Sequence, residues 1–123
     1  MDWKDFAARI NADRAIARQG AGSSFELLLR LGDEEHLLRV HDGRLEELRH
    51  GPFVMPRCDF SLAGGEDAWA RFANPEPAAR DQDIFAFFRR GEITLAGDTR
   101  KFYAHLMCVK LMLANLRAPG AQP

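Results

Sequence analysis

The stretch that decides the fold lies near the C-terminus, where Gly91–Leu116 reads GEITLAGDTRKFYAHLMCVKLMLANL. A strand-like run ends at Gly97, and the next residue, Asp98, is a suitable helix N-cap because a short carboxylate accepts hydrogen bonds from the free N–H groups of a first helical turn. From Thr99 to Leu116 the pattern predicts one helix of roughly five turns.

This last helix carries more apolar surface than packing against a sheet requires. Two adjacent stripes run along it: Phe102, Leu106, Val109, Leu113 and Leu116 form one, and Tyr103, Met107, Leu111 and Ala114 form the other. Three interpretations remain open: a central core helix, a dimer face, or one wall of a cavity for a hydrophobic ligand. The thioethers of Met107 and Met112 slightly favour the cavity, because methionine adapts to irregular shapes.

Composition excludes several classes of protein. Hydrophobic residues make up 46% of the 123-residue chain and charged residues 28%, with a formal net charge of −1. Without a basic excess, nucleic acid is not the expected partner, nor is a polybasic attachment to a membrane expected. The N-terminus resembles no signal peptide, and no apolar run approaches the roughly 20 residues of a membrane span. We therefore expect a soluble cytoplasmic protein without integral membrane association.

The rest of the chain alternates between helical and strand periodicity. The pattern predicts a helix over Asp2–Arg18, then three strands in a meander with a hairpin turn at Asp42-Gly43. It further predicts a strand over Cys58–Ala63, a short helix over Glu66–Ala73, a helix over Asp81–Arg90 capped by Asp81, and a fifth strand over Ile93–Gly97. This order favours a single α+β domain spanning residues 1–123, with a five-stranded, mostly antiparallel sheet and helices on one face. Cys58 and Cys108 are expected to be buried free thiols, with a disulfide or a metal site as the alternative.

The segment from Cys58 to Leu116 resembles the sterol carrier protein family, also called the non-specific lipid-transfer proteins. The resemblance rests on CDFSLAGG, then EDAWARF, then FFRRGEITLAGD and the final apolar helix. Gly91 through Gly97-Asp98 is its most specific part. The meander before Cys58 fits the family's first strands in order, though not by any motif.

The resemblance implies a hydrophobic tunnel between the sheet and the helices, which takes fatty acids, acyl-CoA or sterols. The sheet side implied for this chain comprises Phe25, Leu27, Leu29, Phe60, Leu62, Ile93 and Leu95. The helix side comprises Trp69, Phe72, Phe85, Phe88, Phe102, Leu106, Val109 and Leu113. Most members bind, carry or present lipids and are not catalysts, and no cofactor is expected. The chain ends GAQP rather than in a peroxisomal address, which suggests a bacterial, cytosolic relative.

Basic residues flank the fifth strand on both sides. Arg89 and Arg90 precede it, and Arg100 and Lys101 follow it, so these four cations are candidate contacts for a carboxylate or phosphate head group. They are also suited to a helix end and a solvated face. His36, His41 and His50 fit solvated surface positions, and no Cys/His cluster indicates a metal site.

Two other functions compete with lipid binding. In the first, the apolar helix forms a homodimer or docks onto an enzyme of lipid or quinone metabolism. In the second, the chain is a small α+β cone isomerase, for which Asp59 is the only available base; that fold usually ends in strands, whereas this chain ends in a helix.

Overall fold

The computed structural model describes residues 2–54 and 56–117. Five strands form one sheet: β1 (Phe25–Leu31), β2 (Glu34–His41), β3 (Arg44–His50), β4 (Phe60–Gly64) and β5 (Ile93–Gly97). Their order across the sheet is β3-β2-β1-β4-β5. Only the β1–β4 pair is parallel, and the other three pairs are antiparallel. The predicted α+β class and mostly antiparallel sheet are confirmed.

Six α-helices accompany this sheet in the described part of the chain. They are α1 (Trp3–Ala12), α2 (Arg14–Gln19), α3 (Glu66–Phe72), α4 (Ile84–Arg90), α5 (Thr99–Ala104) and α6 (Leu106–Ala114), with a 3₁₀ turn at Ala79–Asp81. Two of the predicted helices are therefore split. The hairpin turn at Asp42-Gly43 is confirmed, with φ of 50° at Asp42 and 76° at Gly43.

The predicted N-terminal helix is interrupted at Asp13. This residue is extended (φ −78°, ψ 113°), and its carboxylate accepts from the backbone N–H groups of Ala15 and Ile16. An aspartate that caps a following turn stabilises a new helix start more than it stabilises a helix interior. The prediction of one helix over Asp2–Arg18 was wrong for this reason.

The predicted last helix is interrupted at His105, which separates α5 from α6. The His105 ring is 5.5 Å from the Phe25 ring, and its Nδ1 lies 3.1 Å from the Oγ of Ser23, a buried hydroxyl. These contacts with the chain just before β1 hold His105 at φ −111° and ψ 22°. The continuous helix over Thr99–Leu116 is thus corrected to two helices. Asp98 caps the first of them, as predicted, by accepting from the N–H of Lys101.

The start of α4 also differs from the prediction. Asp83, not Asp81, accepts from the N–H of Phe85 and caps the helix. Asp81 ends the preceding 3₁₀ turn and is 5% exposed. Its carboxylate is held by arginines rather than by a helix start.

The core lies between the helices and one face of the sheet. Fully buried side chains from neighbouring strands meet there in register, for example Leu27 opposite both Leu38 and Phe60. The opposite face is crossed by the connection between β3 and β4. In that connection the Phe53 N–H donates to Glu35 on β2, and Arg49 lies over the Phe53 ring.

The side chain of Asn11 hydrogen-bonds helix α1 to the edge strand β3. The amide of Asn11 both donates to the carbonyl of Leu45 and accepts from its N–H, at 3.0 and 2.9 Å. This pair of bonds satisfies backbone groups that an edge strand would otherwise leave unpaired. It also positions Trp3 and Phe6 over the core side of β2 and β3.

Candidate functional site

The predicted sheet-side residues share one face of the sheet. Phe60, Leu62 and Ile93 are fully buried, and Leu95 on the edge strand is half-buried. Leu62 pairs with Leu95 across β4 and β5. Their side chains point toward the helices because alternate residues of a strand share a face.

The predicted helix-side residues gather around Phe102. Its ring is 5.4 Å from Phe60, 6.0 Å from Phe88 and 6.5 Å from Phe85, mostly in edge-to-face geometry. Val109 and Leu113 are fully buried beside it, and Leu106 is half-buried. These distances are those of well-packed aromatic contacts, so the centre of the implied tunnel is filled by the protein's own side chains.

Open apolar space lies instead at the two sides of α6's C-terminal end. A cavity of about 300 Å³, here called the α3 cavity, is lined by Leu31, Glu34, Glu66, Trp69, Ala70, Ala73 and Leu116. A second, of about 250 Å³ and here called the α6 cavity, is lined by Phe72, Gln82, Asp83, Ile84, Met107, Lys110, Leu111, Leu113, Ala114 and Arg117. Both are near the lower end of the roughly 300–1,000 Å³ typical of ligand pockets. Three of the predicted ligand residues line them: Trp69 lines the α3 cavity, and Phe72 and Leu113 line the α6 cavity.

Arg117 connects the elements around these cavities. Its guanidinium lies 4.3 Å from the Phe72 ring centroid and donates to the carbonyls of Phe72, Asp81 and Gln82. It thereby ties the chain shortly after α6 to the end of α3 and to the 3₁₀ turn. Sequence reasoning missed Arg117, because nothing in the pattern places residue 117 near residue 72.

The four predicted head-group cations lie in different environments: two are paired with carboxylates and two are exposed. Arg90 donates to Asp81, Glu92 and the carbonyl of Arg80, and it lies over the Phe87 ring. Lys101 pairs with Asp59 at 3.1 Å. Arg89 and Arg100 are exposed. None of these four cations lines either cavity.

Arg90 belongs to an ion-pair cluster beneath β5. Asp81 accepts from Arg71 at 3.1 Å and from Arg90 at 2.8 Å, and both arginines also contact Glu92. The hydrogen bond from Arg71, and then that from Arg90, lower the pKa of Glu92. Both guanidinium groups lie within 5.4 Å of the Phe87 ring. This cluster links α3, the 3₁₀ turn, α4 and the residue before β5. Its role is therefore structural.

A third, more polar groove of about 460 Å³ adjoins the α3 cavity, with which it shares Leu31 and Glu34. Its other lining residues are Trp3, Asp33, Glu35, His36, His50, Gly51 and Pro52. His36 is 4% exposed, so the interpretation of it as a surface histidine was wrong. His36 lies two and four residues before Leu38 and Val40 on β2, so its side chain points to the same, buried face of the sheet. The sequence alone contained this signal. His41 and His50 are exposed, as expected.

The candidate base of the isomerase alternative lies outside both cavities. Asp59, the candidate base, accepts from the N–H of Glu26 at 2.7 Å and pairs with Lys101, away from both cavities.

Across residues 2–54 and 56–117, no group of three or more His, Cys, Asp or Glu side chains is arranged to hold a metal ion. Within the same residues, no helix is both long enough and apolar enough to cross a membrane. Cys58 and Cys108 are free thiols, as predicted, but only Cys108 is buried, and Cys58 is half-buried.

Solved structures share this architecture at low sequence identity. The chain superposes on sterol carrier protein 2 with a TM-score of 0.77 at 12% identity, covering 94% of this chain and 92% of that one. It matches palmitated SCP2L2 from Aedes aegypti with a TM-score of 0.52 at 16% identity, covering 91% and 95%. It matches the ubiquinone synthesis protein UbiJ-SCP2 with a TM-score of 0.54 at 10% identity, covering 89% and 90%. No family model and no curated protein matches the sequence. The fold is that of sterol carrier protein 2, as the resemblance implied.

Proposed function

We propose that the chain is a single-domain, non-catalytic binding protein that carries or presents a hydrophobic ligand in the cytoplasm. The observation that carries this proposal is the pair of mainly apolar cavities on the two sides of Leu113–Arg117. They are flanked by Trp69 and Phe72, which the family resemblance assigned to the ligand site. One protein of the same fold is described as palmitated, which supports an acyl chain as the ligand class.

In this proposal the ligand moves inward by displacing rings at the outer edge of the packed aromatic cluster around Phe102. Phe85 and Phe88 are half-buried, and Tyr103 is 56% exposed. Rings at the outer edge of the cluster can change rotamer more readily than fully enclosed ones. An acyl chain that displaced them would gain about 0.8 kcal/mol per buried methylene. In this proposal the remaining predicted residues (Phe60, Leu62, Phe85, Phe88, Ile93, Leu95, Phe102, Leu106 and Val109) line the site when it is filled.

The residues that line the cavities support binding rather than catalysis. Among them are Trp, Phe, Leu, Ile, Met and Ala side chains with a few charged ones, and no serine, cysteine or histidine. A covalent mechanism needs a nucleophile within hydrogen-bond reach of a base. In the described lining only Lys110 and Asp83 come close to this arrangement, at 3.5 Å, and they form an ion pair.

The test is to extract the purified protein with organic solvent, identify the released molecules, and measure melting temperatures with fatty acids, acyl-CoA and sterols. Ligand that binds only the folded state raises the melting temperature, by an amount set by its concentration relative to Kd. A copurifying lipid, or a dose-dependent rise with one ligand class, is expected. Protein that carries no lipid and shows no shift across the panel would contradict the proposal.

A second function, association with itself or with an enzyme of lipid or quinone metabolism, is favoured by one observation. Tyr103 and Met107 are 56% and 53% exposed on neighbouring turns, and Tyr103 is stacked on Phe85. Another protein of this fold is described as a ubiquinone synthesis protein. Light scattering on delipidated protein separates the two functions: a stable dimer that Tyr103→Ser disrupts would support association, and a monomer would favour carrying.

A further inference from the structure

Arg117 is unlike the other cations that lack a carboxylate partner. Lys4, Arg14, Arg18, Arg44, Arg57, Arg89 and Arg100 are also without a carboxylate within 4.0 Å among the described residues, and all seven are exposed. Arg117 is half-buried and lines the α6 cavity. A partly buried charge without a counterion is costly because protein surroundings replace water poorly.

The bonds that Arg117 makes leave part of its guanidinium unused. Nε donates to Phe72, and Nη2 donates to Asp81 and Gln82, all to carbonyl oxygens at 2.7–3.0 Å. These bonds use three of the five N–H donors of the guanidinium. The Nη1 group has no protein acceptor among the residues that the structure describes. Burial lowers the pKa of Arg117, and the charge of Asp83 opposes this effect.

Lys110 is the second cation of the same cavity and is only loosely paired. Its Nζ lies 3.5 Å from Oδ2 of Asp83, while Oδ1 of Asp83 is occupied in capping α4. The cavity lining therefore carries two cations and one carboxylate. The remainder is mainly apolar, including Met107, Leu111 and Leu113. An excess positive charge beside an apolar wall is complementary to an anionic amphiphile.

From this arrangement we infer that Arg117 and Lys110 bind the anionic head group of a single-chain lipid, with the chain lying along Met107 and Leu111. The inference rests on the proposed function and deepens it by naming the ligand class. Arg117 is prearranged for this role because three carbonyls fix its orientation, so little conformational freedom is lost when an oxyanion binds. The four cations around β5 take no part in it.

The test compares decanoate, decyl phosphate and 1-decanol, which share one chain and differ in head group. Titration calorimetry on delipidated protein is expected to give about tenfold tighter binding of at least one anion than of the alcohol, as charged hydrogen bonds in a partly desolvated site allow. Decanoate and decyl phosphate distinguish a carboxylate site from a phosphate site. Lys110→Gln and Arg117→Gln are expected to remove most of this preference for an anion over 1-decanol.

Arg89→Gln is the matched control, because Arg89 is an exposed cation outside both cavities. Arg117→Gln also loses the hydrogen bonds that tie Arg117 to α3 and can therefore unfold. In that case the head-group site is tested by Lys110→Gln and by the preference of the wild-type protein for an anion over the alcohol. Equal binding of all three compounds, or a loss caused by Arg89→Gln and not by Lys110→Gln, would overturn the head-group site while leaving the carrier function in place. Failure to bind any of them, together with no shift across the lipid panel, would overturn both.

Discussion

The Nδ1 atoms of His36 and His50 lie 2.7 Å apart across β2 and β3. Only one proton fits between two nitrogens at this distance, so one ring donates and the other accepts. The Trp3 ring is stacked on His36 at 4.1 Å and covers the pair from the side of α1. Glu34 is the nearest carboxylate, with Oε1 3.8 Å from Nε2 of His36, an atom that has no hydrogen-bond partner among the described residues.

This pair predicts a loss of stability in mild acid. Burial, and then the charge of His50, lower the pKa of His36, and Glu34 opposes them less strongly. The unfolded chain therefore binds a proton more readily than the folded one. Stability should fall as pH drops from about 6.5, the ordinary histidine value, toward the lower folded pKa. Melting temperatures between pH 7.5 and 5.0 check this, and His36→Gln should flatten the slope, whereas the exposed His41→Gln should not.

The Asp81 cluster is expected to dominate the stability of the α3–α4 region. Replacing Asp81 by Asn removes the more buried of the two carboxylates that Arg71 and Arg90 share and leaves only Glu92 between them. The free energy of unfolding should fall by about 2 kcal/mol, as for other lost hydrogen bonds to a charged group. Asp67→Asn removes an exposed partner of Arg71 and should cost no more than about 1 kcal/mol. Urea denaturation of both variants checks the difference, and equal losses would show that burial is not the cause.

A close approach of two backbones predicts that Gly20→Ala is destabilising. A Cβ at Gly20 would lie 2.7 Å from the carbonyl oxygen of Ile16, 2.9 Å from the Cα of Gly43 and 3.0 Å from the Sγ of Cys108. Backbone atoms cannot move aside as a flexible side chain can, so a loss of about 1–3 kcal/mol is expected. Gly65→Ala, where nothing lies within 4 Å, should stay within about 0.5 kcal/mol. Thermal unfolding of the two variants measures this contrast.

Filling the α6 cavity should weaken ligand binding without unfolding the protein. Ala114, the last residue of α6, lies in its lining. Leucine at this position would occupy space that the proposed ligand needs, and affinity should fall about tenfold or more. Ala17→Leu, on the exposed side of α2, is the control. Unchanged affinity in Ala114→Leu, with its melting temperature retained, would place the ligand elsewhere.

Replacing Asn11 by Ala should release α1 from the edge strand. Both bonds to Leu45 are lost together, leaving a backbone N–H and a carbonyl to find water. A cost of about 1–3 kcal/mol is expected. Hydrogen exchange at the amide of Leu45 is the direct measurement, since its protection should fall more than that of the central strand β1.

Much of the architecture follows from local pattern. The period-two alternation gives the five strands, Asp42-Gly43 gives the hairpin, and Asp98 gives the cap of the last helical segment. These features are encoded within a few residues because dihedral preferences and face alternation are local properties. The parity of His36 was equally local, and its burial could have been predicted from Leu38 and Val40.

The tertiary structure alone decided which charged and polar groups are paired. His105 interrupts the last helix because Ser23, eighty-two residues earlier, bonds to its ring. Arg90 is paired with Asp81 and Glu92, whereas Arg117 reaches back to Phe72 and has no salt-bridge partner among the described residues. Periodicity tells which face a side chain occupies, but the free energy of a charge depends on which distant groups the fold brings within a few ångströms of it. That is why the sequence could predict which apolar side chains face the core, whereas it could not show which carboxylates surround each candidate head-group cation.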